Sequence, residues 1–83
     1  MRSKDSGILM EVSTDLPGMQ LYTGNFLDGE IGKGGKAYLR RSAACFETQF
    51  FPDAINHENF TSPILKAGEE YHTTTTYQFM VAD

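Results

Sequence analysis

The segment from Glu70 to Val81 alternates between two sets of side chains with a period of two residues, and no other feature of the sequence constrains the fold as strongly. A period of two matches a β-strand, whose successive side chains point to opposite faces of a sheet, and does not match an α-helix. β-Branched and aromatic residues, which favour strands, make up one of the two sets: Tyr71, Thr73, Thr75, Tyr77, Phe79 and Val81. We therefore predict a strand over residues 70–81.

Shorter segments show the same alternation earlier in the chain. Residues 8–13 and 19–23 alternate on either side of residues 15–18, where Pro and Gly suit a four-residue turn, so this region predicts a hairpin. Residues 43–50 predict a strand with two partly apolar faces, and residues 63–66 predict a short one. Since no segment has the apolar stripe of a helix, we predict an all-β antiparallel fold of about five strands.

Two stretches between these segments read as loops. Residues 28–36 contain four of the eight glycines and predict a mobile surface loop. Gly29 and Gly34 have the spacing of a phosphate-binding loop, but the lysine of that motif and a following helix are missing, which disfavours this function. Residues 51–60 predict a structured loop or a short turn in which Asp53 is a turn residue.

The length of 83 residues limits the chain to one domain and a marginal core, because so short a chain buries only about 60–65% of its unfolded surface. Cys45 is the single cysteine, so an internal disulfide is excluded. Cys45, His57 and His72 do not make a convincing zinc site, and no metal or cofactor is expected. A strong partner surface, or membership of something larger, would supply the missing stability.

Charge and hydropathy exclude several classes of partner. Eleven acidic residues against seven basic ones argue against a nucleic-acid-binding surface. No apolar run approaches the roughly 18–20 residues that span a bilayer, so no membrane partner is expected. The first residues lack the apolar region of a signal peptide, which makes a cytoplasmic location the default expectation.

Two longer stretches carry a resemblance to a known family. They read Gln-Leu-Tyr-Thr-Gly-Asn-Phe-Leu-Asp-Gly at 20–29 and Glu-Thr-Gln-Phe-Phe-Pro-Asp-Ala at 47–54. In this order and spacing they resemble the C-terminal region of the aldose 1-epimerase (galactose mutarotase) family, and the likeness extends over residues 8–81. It implies an antiparallel β-sandwich with a sugar cleft. Because family members are several-fold longer, residues 1–83 are expected to be a single partial domain, the C-terminal segment of that sandwich, with residues 1–7 disordered.

The same resemblance implies the site residues. Glu47 matches the family's general base, and Gln20 matches a glutamine that lines the sugar site. The family's acid histidine lies in upstream sequence, and neither His57 nor His72 matches it. Without the resemblance, Glu47 would read as a solvated glutamate and Gln20 as an outward-facing strand residue. Phe50 stands where family members often have a polar residue, which leaves the substrate range open.

Family members interconvert the α and β anomers of aldoses such as galactose and glucose. A base takes the proton of the C1 hydroxyl while an acid protonates the ring oxygen, and a partly buried carboxylate suits the base role. Small residues beside Glu47 predict partial burial at a cavity floor. We therefore expect a fragment of a hexose-metabolising enzyme that retains the base, lacks the acid and is inactive alone.

Two alternatives stay open at this stage. One is a non-catalytic carbohydrate-binding module, in which Glu47 and Gln20 only hydrogen-bond to the sugar. The other is a structural remnant that completes a sheet supplied by another chain. The expected partners are an aldohexose and either the missing upstream part of the sandwich or a second copy that pairs through an edge strand.

Overall fold

The strands of this chain pair across long sequence separations. A computed structural model describes residues 1–81. In chain order the strands are β1 (Ile8–Thr14), β2 (Gly18–Tyr22), β3 (Glu30–Ile31), β4 (Ala37–Tyr38), β5 (Cys45–Gln49) and β6 (Thr75–Val81). Two 3₁₀ turns, Lys33–Gly35 and Ala54–Asn56, are the only helical elements in this part of the chain. The all-β prediction is confirmed.

Three antiparallel pairs make three small sheets: β1 with β6, β2 with β5, and β3 with β4. The predicted hairpin between β1 and β2 is therefore wrong. At the end of β1 the Thr14 hydroxyl accepts the Leu16 N–H at 3.1 Å, and Pro17 has no N–H to donate to a ladder. The turn residues were identified correctly, but the turn leads the chain from one sheet into another.

The carboxylate of Asp15, next to this turn, links the end of β1 to the residues that precede β6. Asp15 accepts hydrogen bonds from the Thr73 hydroxyl and, at 3.2 Å, from the Thr74 N–H. These bonds favour the charged carboxylate and lower the pKa of Asp15 from its usual value of 3.8, the Thr73 bond contributing most. The carboxylate thus holds the entry to β6 against the exit from β1.

The hydrogen bonds of Asp15 to Thr73 and Thr74 are predicted to depend on pH. Because folding lowers the pKa of Asp15, the contact stabilises the fold fully above the unfolded value and is lost as the pH falls through the folded value, below 3.8. In an NMR pH titration, the Thr74 amide resonance should move in that acidic range. In an Asp15→Asn variant this movement should disappear. If the Thr74 resonance moved equally in both proteins, the predicted role of the Asp15 carboxylate would be contradicted.

Other segments differ from the sequence-based expectation in extent. The last strand begins at Thr75 and not at residue 70, and residues 63–66 form no strand. Residues 28–36 hold β3 and a 3₁₀ turn, and with β4 they make a small hairpin in which the Tyr38 hydroxyl accepts the Lys33 N–H at 2.9 Å. The loop at 51–60 contains the predicted short turn.

The first seven residues, for which the sequence predicts disorder, form a turn against β1. The Ser3 N–H donates to the Ile8 carbonyl at 2.9 Å, and the Met10 N–H donates to the Met1 carbonyl at 2.7 Å. This segment therefore runs antiparallel to the start of β1 and covers part of its outer edge. That edge is consequently less open to another strand than the edges of β2 and β5.

The two larger sheets contact each other through one face of β5. The hydroxyls of Thr48 and Thr75 are hydrogen-bonded at 2.7 Å, and the Tyr77 hydroxyl donates to the Phe46 carbonyl at 2.8 Å. Phe46 and Thr48 therefore face the β1–β6 sheet. Since side chains alternate along a strand, residues 45, 47 and 49 point away from that sheet.

Much apolar surface is left uncovered. Ala54 is the one apolar side chain buried among residues 1–81, and two aromatic residues of the alternating segment are exposed, Phe79 at 66% and Tyr71 at 54%. The radius of gyration is 16.9 Å, against about 12 Å for a compact domain of this length. The accessible surface is 6961 Å², about 2,000 Å² more than a compact protein of this mass exposes.

Candidate functional site

The two predicted site residues lie directly opposite each other. In the register of β2 against β5, Gln20 pairs with Glu47. Opposed residues of an antiparallel pair project from the same face with Cα atoms about 4.5–5.5 Å apart. The side chains at 20 and 47 therefore lie side by side on one face of the sheet, although the two residues belong to separate segments of the sequence.

The surrounding residues on this face come from the same two strands. We call this the site face: Gly18, Gln20 and Tyr22 on β2, and Cys45, Glu47 and Gln49 on β5. It is the side of the β2–β5 sheet that points away from β1 and β6. A carboxylate and two amides are thus flanked by small residues and one aromatic ring.

The site face is open in this chain. Gln20 and Glu47 are both exposed, so the partial burial predicted from the small neighbours of Glu47 is wrong for the chain by itself. The reason is that small neighbours leave room for a cover but do not supply one: the Phe51 ring lies against Gly18 at one end of this face, and Gln20 and Glu47 stay exposed. The geometry therefore sets a carboxylate beside an amide, with both groups in contact with solvent.

A sheltered, mainly apolar hollow adjoins the site face. Its volume is about 280 Å³, close to the lower end of ligand pockets, and Tyr22 and Cys45 of the site face form one wall. Tyr38 of β4 and four loop residues form the rest, the loop residues being Gly24, Leu27, Ser42 and Ala43. Sequence reasoning did not single out Tyr22, although its position two residues beyond Gln20 on one strand was the signal that could have found it.

The histidines and the remaining acidic residues lie elsewhere. His57 is in the loop after β5, where its Nε2 is 3.1 Å from the Asp53 carboxylate. Asp53 has a φ of 60° at the start of the 3₁₀ turn, in agreement with its predicted role as a turn residue. Across residues 1–81 no three His, Cys, Asp or Glu side chains are grouped so as to hold a metal ion. The same residues contain no helix long and apolar enough to cross a membrane.

With this geometry established, the comparison with known families is decisive. The model of the family described as aldose 1-epimerase matches residues 1–78. This chain belongs to the aldose 1-epimerase family. The match includes β2 and β5, and with them the paired Gln20 and Glu47.

Individual relatives agree with this assignment. The chain is 53% identical to galactose mutarotase of Bos taurus over 78 residues, 93% of this chain and 23% of the relative. It is 51% identical to galactose mutarotase of Homo sapiens, again over 93% of this chain and 23% of the relative. With aldose 1-epimerase of Escherichia coli (strain K12) the identity is 38% over 94% of this chain and 23% of the relative. The chain thus spans about a quarter of the length of these epimerases.

Proposed function

We propose that this chain supplies the general base, Glu47, and a sugar-binding residue, Gln20, to an aldose 1-epimerase that interconverts the α and β anomers of hexoses such as galactose and glucose. One observation carries the proposal: the register of β2 against β5 sets a carboxylate beside an amide on the uncovered face of a sheet. Membership of the epimerase family supports this assignment.

The chemistry assigns each group a task. The Glu47 carboxylate accepts the proton of the C1 hydroxyl while an acid donates a proton to the ring oxygen, and the bond between C1 and the ring oxygen breaks. Rotation about the C1–C2 bond presents the other face of the aldehyde, and the reverse steps close the ring. The Gln20 amide both donates to and accepts from sugar hydroxyls, so it holds the sugar beside the base.

The acid histidine and the cover of the site face belong, in this proposal, to the part of an epimerase outside this chain. The chain then forms the C-terminal portion of a β-sandwich, and its placement in cytoplasmic hexose metabolism is part of the same proposal. Covering the site face would exclude water and strengthen every electrostatic interaction of Glu47 with substrate. The exposure of Glu47 and the uncovered apolar surface thus have a common explanation.

A sheet-completing structural role is the second candidate, favoured by the roughly 2,000 Å² of surface beyond what a compact protein of this size exposes. In that role Glu47 would be dispensable. A non-catalytic sugar-binding role would need Gln20 and Glu47 for affinity alone. Both alternatives predict a protein without turnover, even when the remainder of an epimerase is present.

A hybrid enzyme separates these possibilities. In it, this chain replaces the 78 matching residues of the Bos taurus galactose mutarotase, to which it is 53% identical. Polarimetry on freshly dissolved α-D-galactose should show mutarotation well above the buffer rate with the hybrid, and the buffer rate with the 83-residue chain alone, because a base without its acid cannot complete the exchange. A folded hybrid without activity would contradict the proposed function.

A further inference from the structure

Tyr22 lies on the site face but takes no part in the proposed chemistry. It is two residues from Gln20 on β2, lies opposite Cys45, and is a diagonal neighbour of Glu47. Diagonal neighbours in an antiparallel pair are about 7–8 Å apart, within reach of an aromatic side chain. Cys45, the residue between them on β5, has a small and exposed side chain. A six-membered sugar ring held by Gln20 and Glu47 would therefore lie against Tyr22.

The ring of Tyr22 is held in place by the turn that follows β2. Its hydroxyl accepts the Phe26 N–H at 3.0 Å, and the two rings stack with centroids 6.5 Å apart and planes 12° from parallel. Gly24, at φ +73°, anchors the turn, because its carbonyl accepts the N–H groups of Leu27 at 3.2 Å and Arg41 at 2.9 Å. A ring fixed before binding loses little entropy when a ligand stacks on it.

The surroundings of Tyr22 complement the two kinds of surface that a sugar presents. Gln20 and Glu47 offer partners for hydroxyl groups, whereas Tyr22 borders a hollow whose other walls include Leu27 and Tyr38. In galactose the axial C4 hydroxyl points to one side and leaves the C–H groups of C3, C4 and C5 as a continuous apolar patch on the other. Glucose has an equatorial C4 hydroxyl at the edge of that patch, so it offers an aromatic ring less apolar contact.

We propose that Tyr22 is a specificity-determining residue of this sugar site, and that its ring receives the apolar face of a galactose-configured hexose held between Gln20 and Glu47. The inference rests on the proposed function and adds the sugar configuration that the site prefers. Aromatic contacts of this kind change affinity by about threefold to tenfold. The expected effect is thus a change in the ratio of two sugars and not a loss of turnover.

The hybrid enzyme allows a first test by NMR. Galactose and glucose are titrated at equal, high millimolar concentrations into the hybrid with isotopically labelled aromatic and glutamine residues, and the resonances of these residues are followed. Galactose should shift the Tyr22 ring resonances more than glucose does, together with the Gln20 side-chain amide. Equal shifts of the Tyr22 ring with the two sugars, or none with either, would overturn the inference.

Kinetics of the hybrid enzyme give a second readout. Tyr22→Leu should lower kcat/KM for galactose about threefold to tenfold more than kcat/KM for glucose, and Tyr22→Phe, which keeps the ring, should retain most of the preference. Tyr71→Leu is the matched control, since Tyr71 is 54% exposed and lies outside the site face. An equal loss for both sugars would mean that Tyr22 only packs the turn, and would overturn the inference.

The two proposals fail in different ways. If Glu47→Gln left the hybrid fully active, the assignment of the base would be wrong whatever Tyr22 does. If Glu47→Gln removed activity while Tyr22→Leu left the galactose-to-glucose ratio unchanged, the proposed function would stand and only the role of Tyr22 would be contradicted.

Discussion

Replacing Glu47 with glutamine in the hybrid enzyme is expected to lower kcat for galactose mutarotation by about 10²–10⁴-fold, the usual contribution of a general base. Glutamine keeps the size of the side chain and its hydrogen bonding to the sugar, but it cannot accept the anomeric proton. KM should therefore change little, because ground-state binding is largely retained. Polarimetry over a range of galactose concentrations separates the two constants.

Two further variants make this measurement specific. Glu11→Gln is the matched control: Glu11 is also an exposed strand glutamate, but it lies on β1 opposite Gln78, in the other large sheet. It should leave both constants unchanged. Gln20→Leu removes a binding group and not the base, so it should act mainly on KM. A loss of kcat in Glu11→Gln as large as that in Glu47→Gln would show that the effect is not confined to the proposed base.

The second large effect concerns the isolated chain, which is expected to be only marginally folded. With Ala54 as the one buried apolar side chain among residues 1–81, its free energy of unfolding should lie well below the roughly 5 kcal/mol typical of the least stable native domains. Thermal unfolding followed by circular dichroism should be broad, and the chain should bind a hydrophobic dye. The exposed apolar surface is the physical reason for both results.

The hybrid enzyme is the control for this prediction. There the same residues should unfold cooperatively with the rest of the protein and without dye binding, because the uncovered surface is then buried. If the isolated chain unfolded in a sharp transition as a monomer and bound no dye, it would fold stably without the rest of an epimerase. The proposal that the rest of an epimerase covers the site face would then lose its main physical support.

Local pattern predicted the strands of this chain better than their partners. The alternation around Tyr77 and Phe79 identified β6 because a period of two is a property of the segment itself. The turn residues Pro17 and Gly18 indicated a change of direction, but a turn does not determine which strands pair across it. β1 found its partner in β6, at the far end of the chain. That pairing depends on contacts between residues far apart in the sequence, which the pattern of a single segment does not show.

For the candidate site, too, the sequence indicated the residues but not their arrangement. The motifs that contain Gln20 and Glu47 identified both residues, whereas their direct opposition is a matter of register, which the sequence does not display. Burial of Glu47 was predicted from its neighbours and is not found, because burial depends on what lies over a face. Tyr22 was missed since its neighbours make it look like an ordinary strand aromatic. Only the pairing of β2 with β5 places it beside Glu47.

Chemical rescue tests the central claim, that the carboxylate of Glu47 takes the anomeric proton, most directly. Glu47→Ala in the hybrid enzyme removes the base and leaves a space in its place, into which a small carboxylate such as formate can diffuse. We expect galactose mutarotation by this variant to be slow and to rise with formate concentration, well beyond the effect of formate on the uncatalysed reaction. A Glu47→Ala hybrid that retained the parent rate, or that formate did not accelerate, would contradict the assignment.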